Sequence, residues 1–449
     1  MALPTSDTTA QNLPNVREHK AAPPNPDDEL AISVESLHAG SELEQDLYDA
    51  ATDLLLLARG LKLTPRFLSL LASRGIRMVR LKSTMPERPS ADPLESPHTR
   101  TLDALLEKEL TKKIPFRRLS VSERPRLGLS DLKAEVQRGL EHHATASNTI
   151  ADVCQALSRG RSVNGNAISG VMDLFANQAA SDIDLLPLIL SIQDSEDEYL
   201  YDHCINVALL SMSVASSAGL PREQVKEIGF GAAMQDIGML RVSQELRLAK
   251  RTLTKDELLE IQRHPILSLD WLERIGSVPL VARFIIYQSH ERVDQSGYPR
   301  RRDSKSVHQF SKLVGVADSF AAMTRPRPYR PAILPYDATR VILSELGKFE
   351  RSTVRMFLDA VGLFPPGSYV ELHNGTKCRV VRANPGYHTR PLVEELDEND
   401  KPTGRHLDLS QMDEVHVARA IPDPQEPCGT ASPIRARSGI DDPSRHRRP

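Results

Sequence analysis

Apolar residues recur at three- and four-residue intervals through four successive stretches, 205–214, 225–234, 258–272 and 281–287, without strand-like alternation. A period near 3.6 turns one face of each stretch toward a common core, whereas a pleated strand needs a period of two. The centre of the chain is therefore predicted to be a bundle of helices. Metal sites in bundles use side chains projecting inward from facing helices. Five residues suited to that chemistry, His203, Asp236, His264, His290 and Asp318, follow one another at intervals of 26 to 33 residues, roughly one helix and one loop. Such spacing lets several helices aim one ligand each at a common point.

The densest stretch is Gln288-Ser289-His290-Glu291-Arg292-Val293-Asp294-Gln295-Ser296-Gly297-Tyr298-Pro299, which follows the apolar run 278–286 and precedes Arg300, Arg301 and Arg302. It reads as a helix ending in a polar loop. A single His near a helix end is more often a surface or hydrogen-bonded residue than a ligand, but His290 has company. His203 stands in Tyr201-Asp202-His203-Cys204, Asp236 in Gln235-Asp236-Ile237-Gly238, His264 in Arg263-His264-Pro265 and Asp318 in Val316-Ala317-Asp318. In order and local context these segments, spread over 183–364, resemble the HD-GYP family, the cyclic-di-GMP phosphodiesterase branch of the HD hydrolases.

The resemblance implies a metal site. The family's first metal-binding His falls on His203, the Asp of its His-Asp pair on Asp236, a further His on His264, the second His of its His-His-Glu on His290 and its late Asp on Asp318. One or two divalent ions, manganese, iron or magnesium, are implied, with Asp236 as the bridge and the residue on which catalysis centres. His203, Gln235, Asp236 and Asp318 would hold one ion, and Asp236, His264, Ser289 and His290 would face the other. Hydrolysis of a phosphodiester needs a deprotonated water and a Lewis acid on a non-bridging oxygen, and metals held by His and carboxylate supply both.

At the metal-site motifs the chain departs from the pattern at three places, and after the basic segment at 325–330 Pro331 replaces a common Lys. Gln235 replaces the His of the His-Asp pair, Ser289 the first His of His-His-Glu, and Met239 the Lys that follows the pair. An amide oxygen is a weaker ligand for a transition metal than imidazole, and a neutral Ser hydroxyl is weaker still. Two readings stay open: a cyclic-di-GMP phosphodiesterase with weakened activity, and a catalytically inactive cyclic-di-GMP sensor or protein-interaction scaffold.

The resemblance also implies a substrate surface. Arg325-Pro326-Arg327-Pro328-Tyr329-Arg330 matches a basic segment in which Arg327 and Arg330 fall on nucleotide-engaging positions, and guanidinium forks suit phosphate because they donate paired hydrogen bonds. Gly297, Tyr298 and Pro299 form the family's signature turn, implied to contact the substrate side and diguanylate-cyclase partners. Gly297 is expected to allow a backbone angle other residues avoid, and Pro299 to fix the exit. Arg300, Arg301 and Arg302 are expected to face solvent.

Around this core the chain changes character. Residues 1–30 lack an apolar pattern and read as a disordered arm. Residues 31–82 are predicted to form a small α+β module: a hairpin through Leu47 and Leu55, a helix capped by Thr64 with Pro65 first and Gly75 last, and a returning strand at 76–81. Residues 83–127, punctuated by Pro, read as a linker with one helix near 102–112. The HD-GYP domain is assigned to 128–364, beginning with helices whose faces carry Leu132, Val136 and Leu140, then Ile168, Val171, Met172 and Phe175. His142 and His143 are expected on an exposed helix face. Alternation returns at 365–420, which is predicted to be a small β-barrel-like appendage for packing or interaction, and 421–449 reads as a disordered tail. The fold class is thus mainly α, with a helical HD-type core and a small module at each end.

Composition limits the remaining possibilities. A formal net charge of -3 over 449 residues gives no general affinity for nucleic-acid polymers. No apolar run approaches the roughly 18 to 20 residues that span a bilayer, and the start of the chain lacks a signal-like apolar core. The four scattered cysteines form no Cys-x-x-Cys pair. A cytoplasmic setting is expected.

Overall fold

A computed structural model describes residues 31–43, 46–50, 55–57, 62–73, 76–82, 97–112, 114, 116–117, 119, 123–191, 199–326, 331–345 and 347–424. The chain divides into two compact units, Met1–Pro93 and Leu94–Pro449. The regions read as a disordered arm and most of the tail lie outside the described residues, as do Arg327 and Arg330.

In the first unit, strands β1 (Ala31–Ser33), β2 (Asp46–Asp49), β3 (Leu55–Leu57) and β4 (Met78–Lys82) form an antiparallel sheet in the order β1-β4-β2-β3. Leu47 opposite Leu57 closes the expected hairpin. Helix α1 (Pro65–Ser73) starts where Thr64 Oγ1 accepts the amide of Phe67 at 3.1 Å, satisfying one of the N–H groups a helix start leaves free. Leu43, Leu47, Leu63 and Val79 make its small core.

The second unit is mainly helical. Helices α2 (Pro97–Leu110), α3 (Leu129–Ser158), α4 (Asn166–Ser181) and α5 (Leu185–Ser191) lead to α6 (Tyr199–Ser217) and α7 (Arg222–Met234). Then come α8 (Gln244–Arg247), α9 (Lys255–Gln262), α10 (His264–Leu272), α11 (Leu280–Gln288), α12 (Gln309–Thr324), α13 (Pro335–Ser344) and α14 (Arg351–Val361). Two short strands, β5 (Val163–Asn164) and β6 (Ile275–Gly276), pair in parallel.

Helix α6 is the centre of this unit, packed against α3, α4, α5, α7, α12 and α14. Residues 203–215 are buried on every side of it, as expected of a helix apolar all round. The α2 helix starts earlier than its charge pattern indicated and sinks Leu102 and Leu106 into the main core. Full burial of each Leu is worth about 2 kcal/mol.

His143 corrects an expectation. It is buried, with Nε2 3.0 Å from Asn206 Oδ1, because it lies on the buried stripe of α3 that includes Gly139, Ala146 and Ile150, and α6 packs against that helix. The inward stripe continues past Leu140 at helical spacing, and polar neighbours in sequence concealed it. Burial holds the imidazole below its usual pKa, and the ring serves as a packing residue bonded to Asn206.

The C-terminal element is an open sheet, not a barrel. Strands β7 (Tyr369–Leu372), β8 (Lys377–Arg382), β9 (Leu392–Leu396), β10 (Pro402–Asp408) and β11 (Val417–Ile421) lie in the order β10-β9-β8-β7-β11. The last strand returns to β7, leaving β10 and β11 at opposite edges. Among the described residues no pairing joins those edges.

Candidate metal centre

The five separated residues converge. His203 comes from the first turns of α6, Asp236 from the turn after α7, His264 from the first position of α10, His290 from just beyond α11 and Asp318 from α12. All five are buried. Two overlapping sets result, Asp236 with His264 and His290, and Asp236 with His203 and Asp318, each with its donor atoms within 4.8 Å of one another.

Asp236 joins the two sets. Its Oδ1 lies 3.1 Å from Nε2 of both His264 and His290, while Oδ2 lies 3.4 Å from His203 Nε2. His203 Nε2 also lies 3.1 Å from Asp318 Oδ1, and His290 Nδ1 lies 3.5 Å from Asp318 Oδ2. His264 Nδ1 is 2.8 Å from the carbonyl of Ile261, an acceptor only, so Nδ1 donates there and Nε2 is the nitrogen turned toward Asp236.

The electrostatics match this wiring. Burial acts to raise the Asp236 carboxyl, but hydrogen bonds to His203, His264 and His290 prevail and hold it well below the usual carboxylate range. Asp318 is likewise lowered: burial pushes it up, but the bond to His203 and the charges of His290 and His203 together outweigh it. His203 is raised because its two carboxylates outweigh desolvation, whereas desolvation prevails at His290 and lowers it.

Backbone geometry sets the donor positions. The turn at Asp236 is tied down by Ser268, whose hydroxyl accepts from Gly238 N at 2.8 Å and donates to the Gln235 carbonyl at 2.9 Å. A Cβ on Gly238 would sit 2.1 Å from the His264 carbonyl oxygen, so only glycine allows the turn to lie this close to α10. Nothing in the sequence marked Ser268.

The Gly-Tyr-Pro turn lies beside the cluster. The Tyr298 ring stacks on His290 with centroids 4.9 Å apart and planes 9° apart, and Tyr298 N donates to the His290 carbonyl at 3.1 Å. Gly297 does not adopt a left-handed conformation, contrary to expectation. Its requirement is space, since a Cβ there would lie 2.4 Å from both Arg292 N and the His290 carbonyl oxygen. The Tyr298-Pro299 bond is cis.

Arg300 and Arg302 also depart from the expected solvent-facing role. The Glu291 carboxylate accepts their backbone amides at 2.7 and 2.9 Å, and their guanidinium groups turn inward to Tyr287 Oη at 2.9 and 3.4 Å. Glu291 thus holds the loop, and the Arg pair was misread because its partners are distant in sequence.

Gln235 and Ser289 are buried, and neither side chain has a hydrogen-bond partner among the described residues. The donor set fits a divalent metal: three imidazoles and two carboxylates aim polar atoms at a shared space, and two orphaned polar side chains adjoin it in sequence.

Residues 172–352 match the model of the HD domain family. A cyclic di-GMP phosphodiesterase from Pseudomonas aeruginosa, PA4108, is 25% identical over 252 residues, covering 55% of this chain and 61% of that protein. A 3'3'-cGAMP-specific phosphodiesterase 1 from Vibrio cholerae is 29% identical over 159 residues, covering 35% and 37%. The chain spans less than two thirds of the length of these relatives. One solved structure, Bd1817, a HDG"Y"P protein from Bdellovibrio bacteriovorus, aligns with a TM-score of 0.42 and 16% identity, over 74% of this chain and 99% of that one. Among the described residues no helix is long and apolar enough to cross a membrane.

Proposed function

Because residues 172–352 form an HD domain of the HD-GYP family, we propose that it is a metal-assisted phosphodiesterase for a cyclic dinucleotide, cyclic di-GMP being the first candidate. The observation that carries this reading is the shared carboxylate of Asp236, one oxygen facing His264 and His290 and the other His203. His203, Asp236 and Asp318 would hold one divalent ion, and Asp236, His264 and His290 a second or the same one. Such ions, when bound, supply a Lewis acid for a phosphoryl oxygen and make water acidic enough to attack near neutral pH.

The chain's own residues do the positioning. The Ile261 carbonyl fixes which His264 nitrogen is free, Ser268 holds the turn that presents Asp236, and the Tyr298 ring limits rotation of His290. Arg327 and Arg330 would meet the phosphates, with Gly297, Tyr298 and Pro299 forming the neighbouring wall. Addition of one water to cyclic di-GMP opens one phosphodiester to a linear dinucleotide, and a second addition gives GMP.

A relative named for 3'3'-cGAMP makes that nucleotide the natural competitor substrate. The test is chromatographic detection of products from each nucleotide with Mn(II), or with Fe(II) under anaerobic conditions, beside Asp236→Ala. Linear product from the unaltered protein and none from the variant is expected.

Gln235 and Ser289 favour a second reading, a domain that binds the nucleotide without cleaving it. Each stands where the family has an imidazole, and each is buried without a side-chain partner among the described residues. Saturable cyclic di-GMP binding with no product under either metal would select this alternative. In that case the Gly-Tyr-Pro turn becomes the candidate surface for a signalling partner such as a diguanylate cyclase.

A further inference from the structure

The loop that carries Tyr298 is fastened to a helix outside the matched HD segment. Helix α2 packs on α11 and on the turn Ser304–Ser306, and presents Thr99 and Asp103 to the loop. Asp103 Oδ1 receives Arg302 Nη2, and Thr99 Oγ1 receives Arg300 Nη2 at 3.3 Å. Tyr287, at the end of α11, lies between them: its hydroxyl accepts from both arginines, and its ring lies 5.3 Å beneath the Arg302 guanidinium.

The same two arginines have backbone amides held by Glu291, so each is anchored at main chain and side chain together. Arg301 between them has φ 54°, a left-handed conformation uncommon for a residue with a side chain. The turn is therefore held from both sides. Its N-terminal end is Tyr298, the ring stacked on His290. A continuous set of contacts runs from α2 through Arg302 and Arg300 to an imidazole of the candidate metal centre.

We infer that Asp103 and Thr99 are positioning residues for that centre, acting through the arginines to fix Tyr298 against His290. The inference rests on the metal-centre reading above. Neither residue touches the cluster, and both precede the matched segment 172–352. The Asp103–Arg302 pair is suited to the task because the Arg302 side chain is only 18% exposed, so losing the carboxylate leaves a largely buried cation without its main counter-charge.

The test uses the full chain and two readouts, amide hydrogen exchange at Tyr298, Arg300 and Arg302 in metal-free protein, and affinity for Mn(II) alone by titration calorimetry. Asp103→Ala and Arg302→Ala should each speed loop exchange and weaken Mn(II) binding about tenfold, the lower end expected for loss of a supporting contact. The double variant should be no worse than either single one, and Asp103→Glu should recover most of the loss. Glu109→Ala, which removes from the same helix a carboxylate paired with Lys112 just past its end, should leave both readouts unchanged.

Unchanged loop exchange would overturn the inference, as would faster exchange with unaltered Mn(II) affinity. Losses that follow only a fall in whole-protein melting temperature would also overturn it. Absence of Mn(II) binding in the unaltered protein would overturn both this inference and the metal-centre reading, an outcome distinct from failure of α2 alone, where the unaltered protein still binds the ion.

Discussion

Asp182 and Asp184 are buried, as are Asp236 and Asp318, yet the two pairs of carboxylates meet different partners. Asp182 and Asp184 face permanent cations. Arg382 of β8 reaches Asp182 Oδ2 at 2.6 Å and Asp184 Oδ2 at 3.2 Å, and Arg126 lies 3.5 Å from Asp184. The amides of Leu127 and Asp184 also donate to Asp182, at 3.0 and 2.9 Å. This network fixes the C-terminal sheet to the helices around it through arginines that stay charged. Asp236 and Asp318 instead face imidazoles. An imidazole can give up its proton and offer a lone pair, which a guanidinium cannot. Buried carboxylates therefore make a closed joint in one place and a receptive donor set in the other.

The largest expected effect breaks the joint. Arg382→Met leaves two buried carboxylates short of a cation and should cost about 3–5 kcal/mol of stability, read as a lower urea midpoint. Asp236→Ala should cost less, because its His partners can shed protons. Equal losses would erase the contrast.

The next effect isolates an imidazole that faces neither pair. His308, at the start of α12, accepts the Phe310 amide on Nδ1 at 3.3 Å, and burial lowers its pKa from 6.5 to about 4. The unfolded chain then binds the proton more readily, so this stabilisation is complete above pH 6.5 and is lost as pH falls through 4. The shift corresponds to about 3 kcal/mol. Unfolding from pH 7.5 to 4 should show a smaller loss in His308→Gln, and parallel curves would remove His308 as a source.

Metal then sharpens the difference. Mn(II) at one hundred times its dissociation constant should stabilise the unaltered protein by about 2.7 kcal/mol. It should do so equally in a stably folded Arg382→Lys variant and not at all in Asp236→Ala. A rise of equal size in Asp236→Ala would place the ion elsewhere.

The smallest effect restores a donor. Gln235→His replaces an amide without a side-chain partner by an imidazole and should tighten Mn(II) binding about tenfold, or about 1.4 kcal/mol. Calorimetry showing no gain would mean that position 235 does not point its donor at the ion.

The helical class and the five converging residues were legible because both depend on short-range pattern. Apolar spacing in 205–214 and 225–234 specifies helices, and the short motifs that carry the resemblance to the HD-GYP family are each contained in one segment. Other features were hidden for a physical reason. His143 sits among polar neighbours and is buried by α6, and Arg300 and Arg302 look solvated until Asp103, Thr99 and Tyr287 are placed beside them. Ser268 carries no motif, since its role is one hydroxyl between two backbone groups. Gly297 was anticipated as a special glycine, but the reason differs: close packing, not a left-handed angle.

The sequence alone determined that the centre of this protein is helical, that small modules with strands lie at its ends, and which side chains could form a metal centre. Periodicity suffices for the helices and strands, a property of single segments, and the resemblance of the short motifs around His203, Asp236, His264, His290 and Asp318 to the HD-GYP family picks out the side chains. The tertiary structure decided that Asp236 is shared between two donor sets, that Tyr298 lies flat on His290, and that α2 reaches the loop across about two hundred residues of sequence. It also decided that the C-terminal strands stay open. These outcomes depend on distances between segments, set by how helices and strands pack together, and no local pattern of residues encodes them.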